Sequence, residues 1–377
     1  MSQPNIEPSQ VVEGCFLVGH RNPDSILQCN TYLRTFQNGS QKTHWCVDPG
    51  SELDYPVVKE NLLRHVGSLR DIHMFSLNHQ DPDVVANLRF LAQENPNLVG
   101  VVSEDVWRLV RHLNANPKKL YFTGKVKQNL MRLPDGHRIQ LVPTPFCHFR
   151  GAVAYYDLET RILFSGDLFG GLNQPGRVQL LGSEEDWAGI AQFHQIYMPA
   201  RAAVEYAVRQ IKVLDPPVET IAPQHGFVLT GDFMHTVLDR LATLPVGLDL
   251  LANELDEKYL SGYREVFREV LHEAAMQVGR GEIFSALNKL PVEHELRQYV
   301  KISKQEAELQ SCGFKALPLL VDELSRAQFP AFRSQLKSHV LQRCTDLGLP
   351  IPQLGVGVEE QAMWIGMQGL SLAPDGE

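Results

Sequence analysis

Three things are scarce in this chain: long apolar runs, positive charge and closely spaced cysteines. No stretch approaches the ~20 apolar residues a membrane-spanning helix needs, and the opening MSQPNIEPSQ is polar, so a cytoplasmic protein with no membrane contact is expected. Lys and Arg number 35 against 44 Asp and Glu, and the resulting net charge of -9 has the wrong sign for a partner made of phosphates. Nucleic acid is therefore not an expected ligand. The six cysteines, Cys15, Cys29, Cys46, Cys147, Cys312 and Cys344, include no C-x-x-C pair. That excludes a zinc ribbon, a rubredoxin-like iron site and a dithiol redox motif, and leaves buried, reduced thiols as the expectation. Repeats of solenoid period are absent as well.

What is present is an ordinary globular composition, 44% hydrophobic and 21% charged, over 377 residues, enough for one large domain and an appendage. From Val11 to about Ala222, short β-rich runs alternate with helical patterns. Candidate strands are Leu27–Phe36, Thr43–Val47, Ile72–Leu77, Val99–Val102, Lys119–Phe122, Ile139–Val142, Ala152–Asp157, Ile162–Ser165 and Val218–Ala222. Val204, Ala207, Val208 and Ile211 mark one face of a helix over Ala202–Leu214. An α+β domain is implied, over residues 1–247.

Beyond Gly247 the β-branched runs give way to helical stripes, so residues 248–377 read as a helical C-terminal region. Tyr263, Val266, Phe267, Val270, Leu271 and Ala274 form one unbroken stripe, expected as a core face, with a homodimer seam as the alternative. Further helices are expected over Leu317–Leu324 and Ala331–Leu347, and the tail from about Pro350 is expected to be loosely ordered at its end.

Chemistry concentrates at strand ends. The apolar run Phe75-Ser76-Leu77 leads into Asn78-His79-Gln80-Asp81-Pro82-Asp83, three hard or borderline metal donors at alternate positions. Such a run alone is a weak signal, since loop acids are commonly just solvated. His148 follows the strand Ile139–Val142, Asp167 follows the apolar run Ile162-Leu163-Phe164, and His225 closes Thr220-Ile221-Ala222-Pro223-Gln224. An aspartate in Asp167's surroundings is costly to bury unless paired or metal-bound. The other histidines, including His20, His44, His65, His73, His112, His194 and His235, have no ligand spacing and are read as structural or surface groups. Trp45, Phe146, Phe149 and Phe169 read as core aromatics before pocket walls.

Together these segments resemble the metallo-β-lactamase superfamily, whose five motifs match in order: Asp48-Pro49-Gly50, His79-x-Asp81-x-Asp83, His148, Asp167 and His225. The resemblance covers roughly residues 10–245 and implies an αββα sandwich with metal bound at one edge. Zinc hydrolases of the superfamily read H-x-H-x-D-H, whereas flavodiiron proteins and related oxygen-binding di-iron proteins read H-x-E-x-D-H. An acid at position 81 hardens the site toward iron or manganese. Ser165-Gly166-Asp167-Leu168-Phe169-Gly170 is similar to the flavodiiron S-G-D-x-F-G stretch, and Ala222-Pro223-Gln224-His225-Gly226 to their I-A-P-x-H-G.

Carried over by position, the resemblance gives one metal His79, Asp81 and His148, the other Asp83 and His225, and makes Asp167 the bridge. Asp167 and His225 are the candidate catalytic residues. Two iron ions are implied, with a single ion, manganese or zinc as alternatives. Val84 stands where the family has a further histidine, which leaves the second metal one donor short. Nothing after residue 245 resembles a flavodoxin domain, so FMN is not expected and electrons would come from a separate electron-transfer protein. The implied functions, in order, are reduction of O2 or NO, O2 sensing without turnover, and hydrolysis of an ester or phosphodiester.

Overall fold

The computed structural model describes residues 8–354, apart from 24, 175, 254–256 and 327. It divides into two compact units between Leu250 and Leu251. The first holds two sheets. Strands β1 (Ser9–Val12), β2 (Cys15–Leu17), β3 (Tyr32–Asn38), β4 (Gln41–Val47), β5 (Ile72–Ser76), β6 (Val99–Val102) and β7 (Lys119–Phe122) lie side by side in chain order. The second sheet runs β13 (Leu229–Thr230), β12 (Thr220–Pro223), β11 (Ile162–Gly166), β10 (Val153–Asp157), β9 (Arg138–Pro143), β8 (Leu130–Arg132).

Local sequence explains the main turns. The two-residue loop Gly39-Ser40 closes the β3–β4 hairpin with Gly39 at φ +60°, a backbone only glycine adopts cheaply at the first loop position. After β4 the pairing becomes parallel through β5, β6 and β7, and each crossover carries a helix. The helix Tyr55–Val66 begins with Pro56 in its first turn and ends on Gly67, burying Val58, Leu62 and Val66.

The core lies in layers. Tyr32, Phe36, Trp45, Val47 and Met74 of the first sheet meet Leu141, Val153, Tyr155, Ile162 and Phe164 of the second. On the first sheet's other face, Leu33, Cys46, Ile72 and Phe75 pack against Val58 and Leu62, Leu88 and Leu91, and Val106 and Val110 from three helices. Every residue of β10 and β11 is buried, because Tyr155 and Phe164 fill the space between the sheets while Ala154, Tyr156 and Leu163 alternate to the opposite face. There the helix Arg201–Lys212 buries Val204, Ala207, Val208 and Ile211, and the helix Gly231–Thr243 buries Met234, Val237 and Leu241. This is the αββα sandwich the sequence implied. A buried ion pair also joins the sheets, with Arg34 Nε donating to Asp157 Oδ2 at 2.7 Å.

The expected strands match β4 to β7 and β9 to β12 within a residue or two, with one substantive difference at β3. Leu27–Asn30 is not strand, and the chain enters β3 only at Tyr32. Strands β1, β2, β8 and β13 went unanticipated because two to four residues carry too little alternation to register as a period.

The second unit contains the helices Glu257–Val278, Arg280–Asn288, Gly313–Ser325 and Pro330–Asp346. It also has a hairpin, β14 (Val300–Ile302) with β15 (Ala307–Leu309), which the helical reading of this region missed. The stripe from Tyr263 to Ala274 is buried within this unit and touches the Gly313–Ser325 and Pro330–Asp346 helices, so it is a core face. Gly313 permits that approach, since a Cβ there would come within 2.2 Å of Tyr263. The end of the tail lies outside the described residues. No helix among the described residues is long and apolar enough to cross a membrane.

Candidate metal centre

Strand direction decides which loops meet. β4 and β5 run parallel, as do β11 and β12, and β9 shares the direction of β11 because both are antiparallel to β10 between them. Their carboxyl ends therefore open on one edge of the sandwich, as ligand sites in α/β sheets commonly do. From β5 come His79, Asp81 and Asp83, from β9 His148, from β11 Asp167, and from β12 His225.

All six side chains converge there. His148 Nε2 lies 2.9 Å from Asp81 Oδ2 and 3.2 Å from Asp167 Oδ2. His79 Nε2 is 3.5 Å from both Asp81 Oδ2 and Asp167 Oδ1. On the other side of Asp167, His225 Nε2 is 3.5 Å from Asp167 Oδ1 and 3.2 Å from Asp83 Oδ2. Donor atoms of His79, Asp81, His148 and Asp167 all fall within 4.8 Å of one another, and so do those of Cys29, Asp83 and His225. Asp167 thus stands between two groups of donors.

Burial and charge oppose each other at this edge. Burial disfavours the His79 imidazolium, yet the Asp167 and Asp81 carboxylates outweigh it and push the group up. His148 is likewise raised, to about 10, against burial by Asp167 and Asp81. Burial pushes Asp167 up, but His79, His148 and His225 hold it down at about 2. Even so, His79 Nε2 and Asp167 Oδ1 are buried without a hydrogen-bond partner. A buried imidazole nitrogen and a buried carboxylate oxygen at 3.5 Å are poorly served by each other and, with the ring neutral, would be well served by a cation between them. Three imidazoles and three carboxylates suit iron or manganese, so the residues present fit the metal that the resemblance implied.

A second layer holds these donors in place. His225 Nδ1 meets the Gln28 carbonyl at 2.9 Å, which puts the proton on Nδ1 and turns Nε2 toward the carboxylates. Asp48 Oδ1 accepts from the Asn78 backbone N–H at 2.7 Å, and the Asn78 amide donates to the Val153 carbonyl at 2.7 Å, tying the His79 loop to both sheets. Burial pushes Asp48 up to about 7, with the Asn78 bond opposing. Asp48 is therefore a support for the loop. Gly166, at φ +62°, lies directly against Asn78, where a Cβ would come within 1.9 Å of the amide oxygen. His194 accepts from the Phe169 N–H at 2.9 Å and fixes the turn that follows Asp167.

Val84 brings no donor and is fully buried in the apolar core with Val85 and Leu88. Phe193 stands 5.1 Å from the His225 ring and 4.7 Å from Tyr197, which faces His148 at 6.2 Å. These aromatics cover the site from the helix Trp187–Tyr197 and were not singled out in the sequence, where helical aromatics look like any core. Trp45 and Phe169 are fully buried, and Phe146 is half exposed.

A sandwich of two sheets between helices, with His and Asp donors gathered at the strand ends of one edge, defines a metallo-β-lactamase-fold protein. Within that class the chain belongs to the ODP family of beta-lactamases, whose sequence profile matches residues 27–226. A curated relative, the putative diflavin flavoprotein A 6 of Nostoc sp. strain PCC 7120, is 26% identical over 188 residues. That match covers 48% of this chain and 31% of the relative, so the chain spans about a third of that protein's length. Among solved structures, the peroxy diiron species of the chemotaxis sensor ODP is similar with a TM-score of 0.52 at 22% identity, covering 65% of this chain and 98% of that one. Rubredoxin oxygen:oxidoreductase from the anaerobe Desulfovibrio gigas has a TM-score of 0.55 at 15% identity, covering 70% of this chain and 69% of that one. These structural likenesses establish the fold.

Proposed function

We propose that the first domain, residues 1–247, holds two iron ions, one among His79, Asp81 and His148, the other beside Asp83 and His225, with Asp167 reaching both. On this reading the protein binds O2 or NO there and reduces it in the cytoplasm with electrons from a separate electron-transfer protein. FMN has no part in it, and residues 248–377 form a separate helical region. The observation that carries the reading is the pair of buried, unpartnered atoms, His79 Nε2 and Asp167 Oδ1, 3.5 Å apart inside one donor group, with Asp167 Oδ1 also 3.5 Å from His225 of the other.

Bound iron would supply a redox-active Lewis acid for a diatomic ligand. The protein's own contribution is position. The Gln28 carbonyl holds His225 in one tautomer, Asp48 and Asn78 hold the loop of His79, and the Phe193 and Tyr197 rings pack beside His225 and His148. A second reading, O2 binding without turnover, is favoured by membership of the ODP family, since a chemotaxis sensor shares that name and fold.

Iron analysis and O2 uptake by protein purified without chelators test both. About two irons per chain, with O2 consumed continuously under a chemical reductant, support reduction. Uptake that stops at one O2 per centre supports the sensor. Zinc in place of iron, with no uptake, overturns both and points to the hydrolase.

A further inference from the structure

We propose that the sulfur of Cys29 is a metal ligand, completing with Asp83 and His225 the second metal position that Val84 leaves one donor short. The inference rests on the di-metal reading above and specifies one of its two sites.

Three observations converge on it. Cys29 Sγ lies 3.9 Å from Asp83 Oδ2, and the donor atoms of Cys29, Asp83 and His225 all fall within 4.8 Å of one another. Donors bonded to one ion at about 2.0–2.3 Å occupy such a cluster after small side-chain adjustments. Among the described residues no other cysteine joins a donor cluster of this kind. Next, the peptide carrying Cys29 is pinned on both sides to the turn that carries His225. Gln28 O meets His225 Nδ1 at 2.9 Å, and Asn30 N donates to Gln224 O at 2.6 Å. Asn30 Nδ2 also donates to the carbonyls of Pro223 and Gly226, at 3.0 and 3.1 Å. Gln224 Nε2 in turn donates to Asp83 O at 3.1 Å, so all three donors belong to one hydrogen-bonded unit. Finally, Asp167 Oδ1, almost wholly buried, has no hydrogen-bond partner and stands 3.5 Å from His225 Nε2, on the side away from Gln28. An unpaired carboxylate oxygen and an imidazole lone pair facing each other call for a cation at that point.

Coordination here exchanges one bond for another without redox change. The S–H bond breaks, its proton leaves to solvent, and sulfur bonds the metal. The result is an unequal pair of positions, with His79, Asp81 and His148 offering only nitrogen and oxygen while Cys29 makes its neighbour softer.

Cobalt(II) titration of the full chain, stripped of metal and reduced, reads the sulfur directly through the near-ultraviolet thiolate-to-cobalt charge-transfer band. Two cobalt ions per chain are expected, with the band growing alongside one of them. Cys29→Ser should abolish the band, and Cys29→Ala should weaken the second equivalent at least about tenfold. Alkylation of wild type, read at the Cys29 peptide by mass spectrometry, keeps the test independent of how the variants fold; cobalt should protect Cys29 strongly. Two bound cobalt ions with no band, a band that survives in Cys29→Ser, or equal labelling with and without cobalt overturns the assignment alone. Failure to bind cobalt at all overturns the di-metal reading together with it.

Discussion

Replacing His194 with glutamine should flatten the acid side of the first unit's stability profile. His194 is fully buried, its Nδ1 donates to the Ile190 carbonyl at 2.8 Å, and its Nε2 accepts from the Phe169 N–H at 2.9 Å. Only the neutral ring can do both. Burial accordingly pulls the group down to about 4, with the Ile190 bond and the Asp167 charge opposing. In the unfolded chain the ring returns to about 6.5. Between these values the unfolded state binds more protons, so the stability His194 contributes is whole above about pH 6.5 and is lost as pH falls toward 4. A difference of about 2.5 units corresponds to about 3 kcal/mol. Urea unfolding of metal-free protein, followed by tryptophan fluorescence from pH 7.5 to 4, measures it; Trp45, Trp107 and Trp187 all lie in the first unit. His79, His148 and His225 titrate in both proteins and cancel in the difference between wild type and His194→Gln. That difference should shrink by about 3 kcal/mol on acidification. A difference that stays level from pH 7.5 to 4 would refute the neutral-acceptor assignment.

Asp167→Ala should lose more metal per chain than Asp83→Ala or His225→Ala, because it alone borders both donor groups; equal loss in all three would refute a bridging role. Asp157→Ala leaves the Arg34 guanidinium buried without its main partner and should cost about 3–5 kcal/mol, read as a lower urea midpoint. Gly166→Ala should lower both stability and metal content, since its Cβ would collide with Asn78, whereas Gly67→Ala, with open space and a similar φ of +76°, should cost only about 1 kcal/mol and leave metal content unchanged.

The sandwich was legible because its strands are long enough to show apolar runs, and because four of them end in a residue that a core rejects. Asp167 and His225 stand out for that reason. Cys29 was hidden by the same logic turned round. It precedes a strand, and an antiparallel strand brings its amino end to the edge where its neighbours bring their carboxyl ends, a fact of pairing that periodicity does not carry. Reading Leu27–Phe36 as one strand also placed Cys29 inside it, whereas β3 begins only at Tyr32. His194 looked like a bland core histidine, and locally it is one; its partner Phe169 lies 25 residues away in the chain. The hairpin of β14 and β15 escaped because three-residue strands have no measurable period.

The two sheets are stitched together at the donor edge by Tyr32 Oη to the Pro223 carbonyl at 2.7 Å and by Arg21 Nη1 to the Gly226 carbonyl at 2.6 Å. Donors are likewise shared out, with His79, Asp81 and Asp83 following the first sheet and His148, Asp167 and His225 the second. Sliding one sheet over the other by about an ångström would disturb at once the pairs that span them, His79 with Asp167, His148 with Asp81 and His225 with Asp83. The sandwich therefore behaves as a vernier, in which the setting of two large surfaces fixes a small gap. Substitutions far from the donors, anywhere along the seam between Tyr32, Trp45 and Phe164, become able to tune how tightly that gap grips an ion.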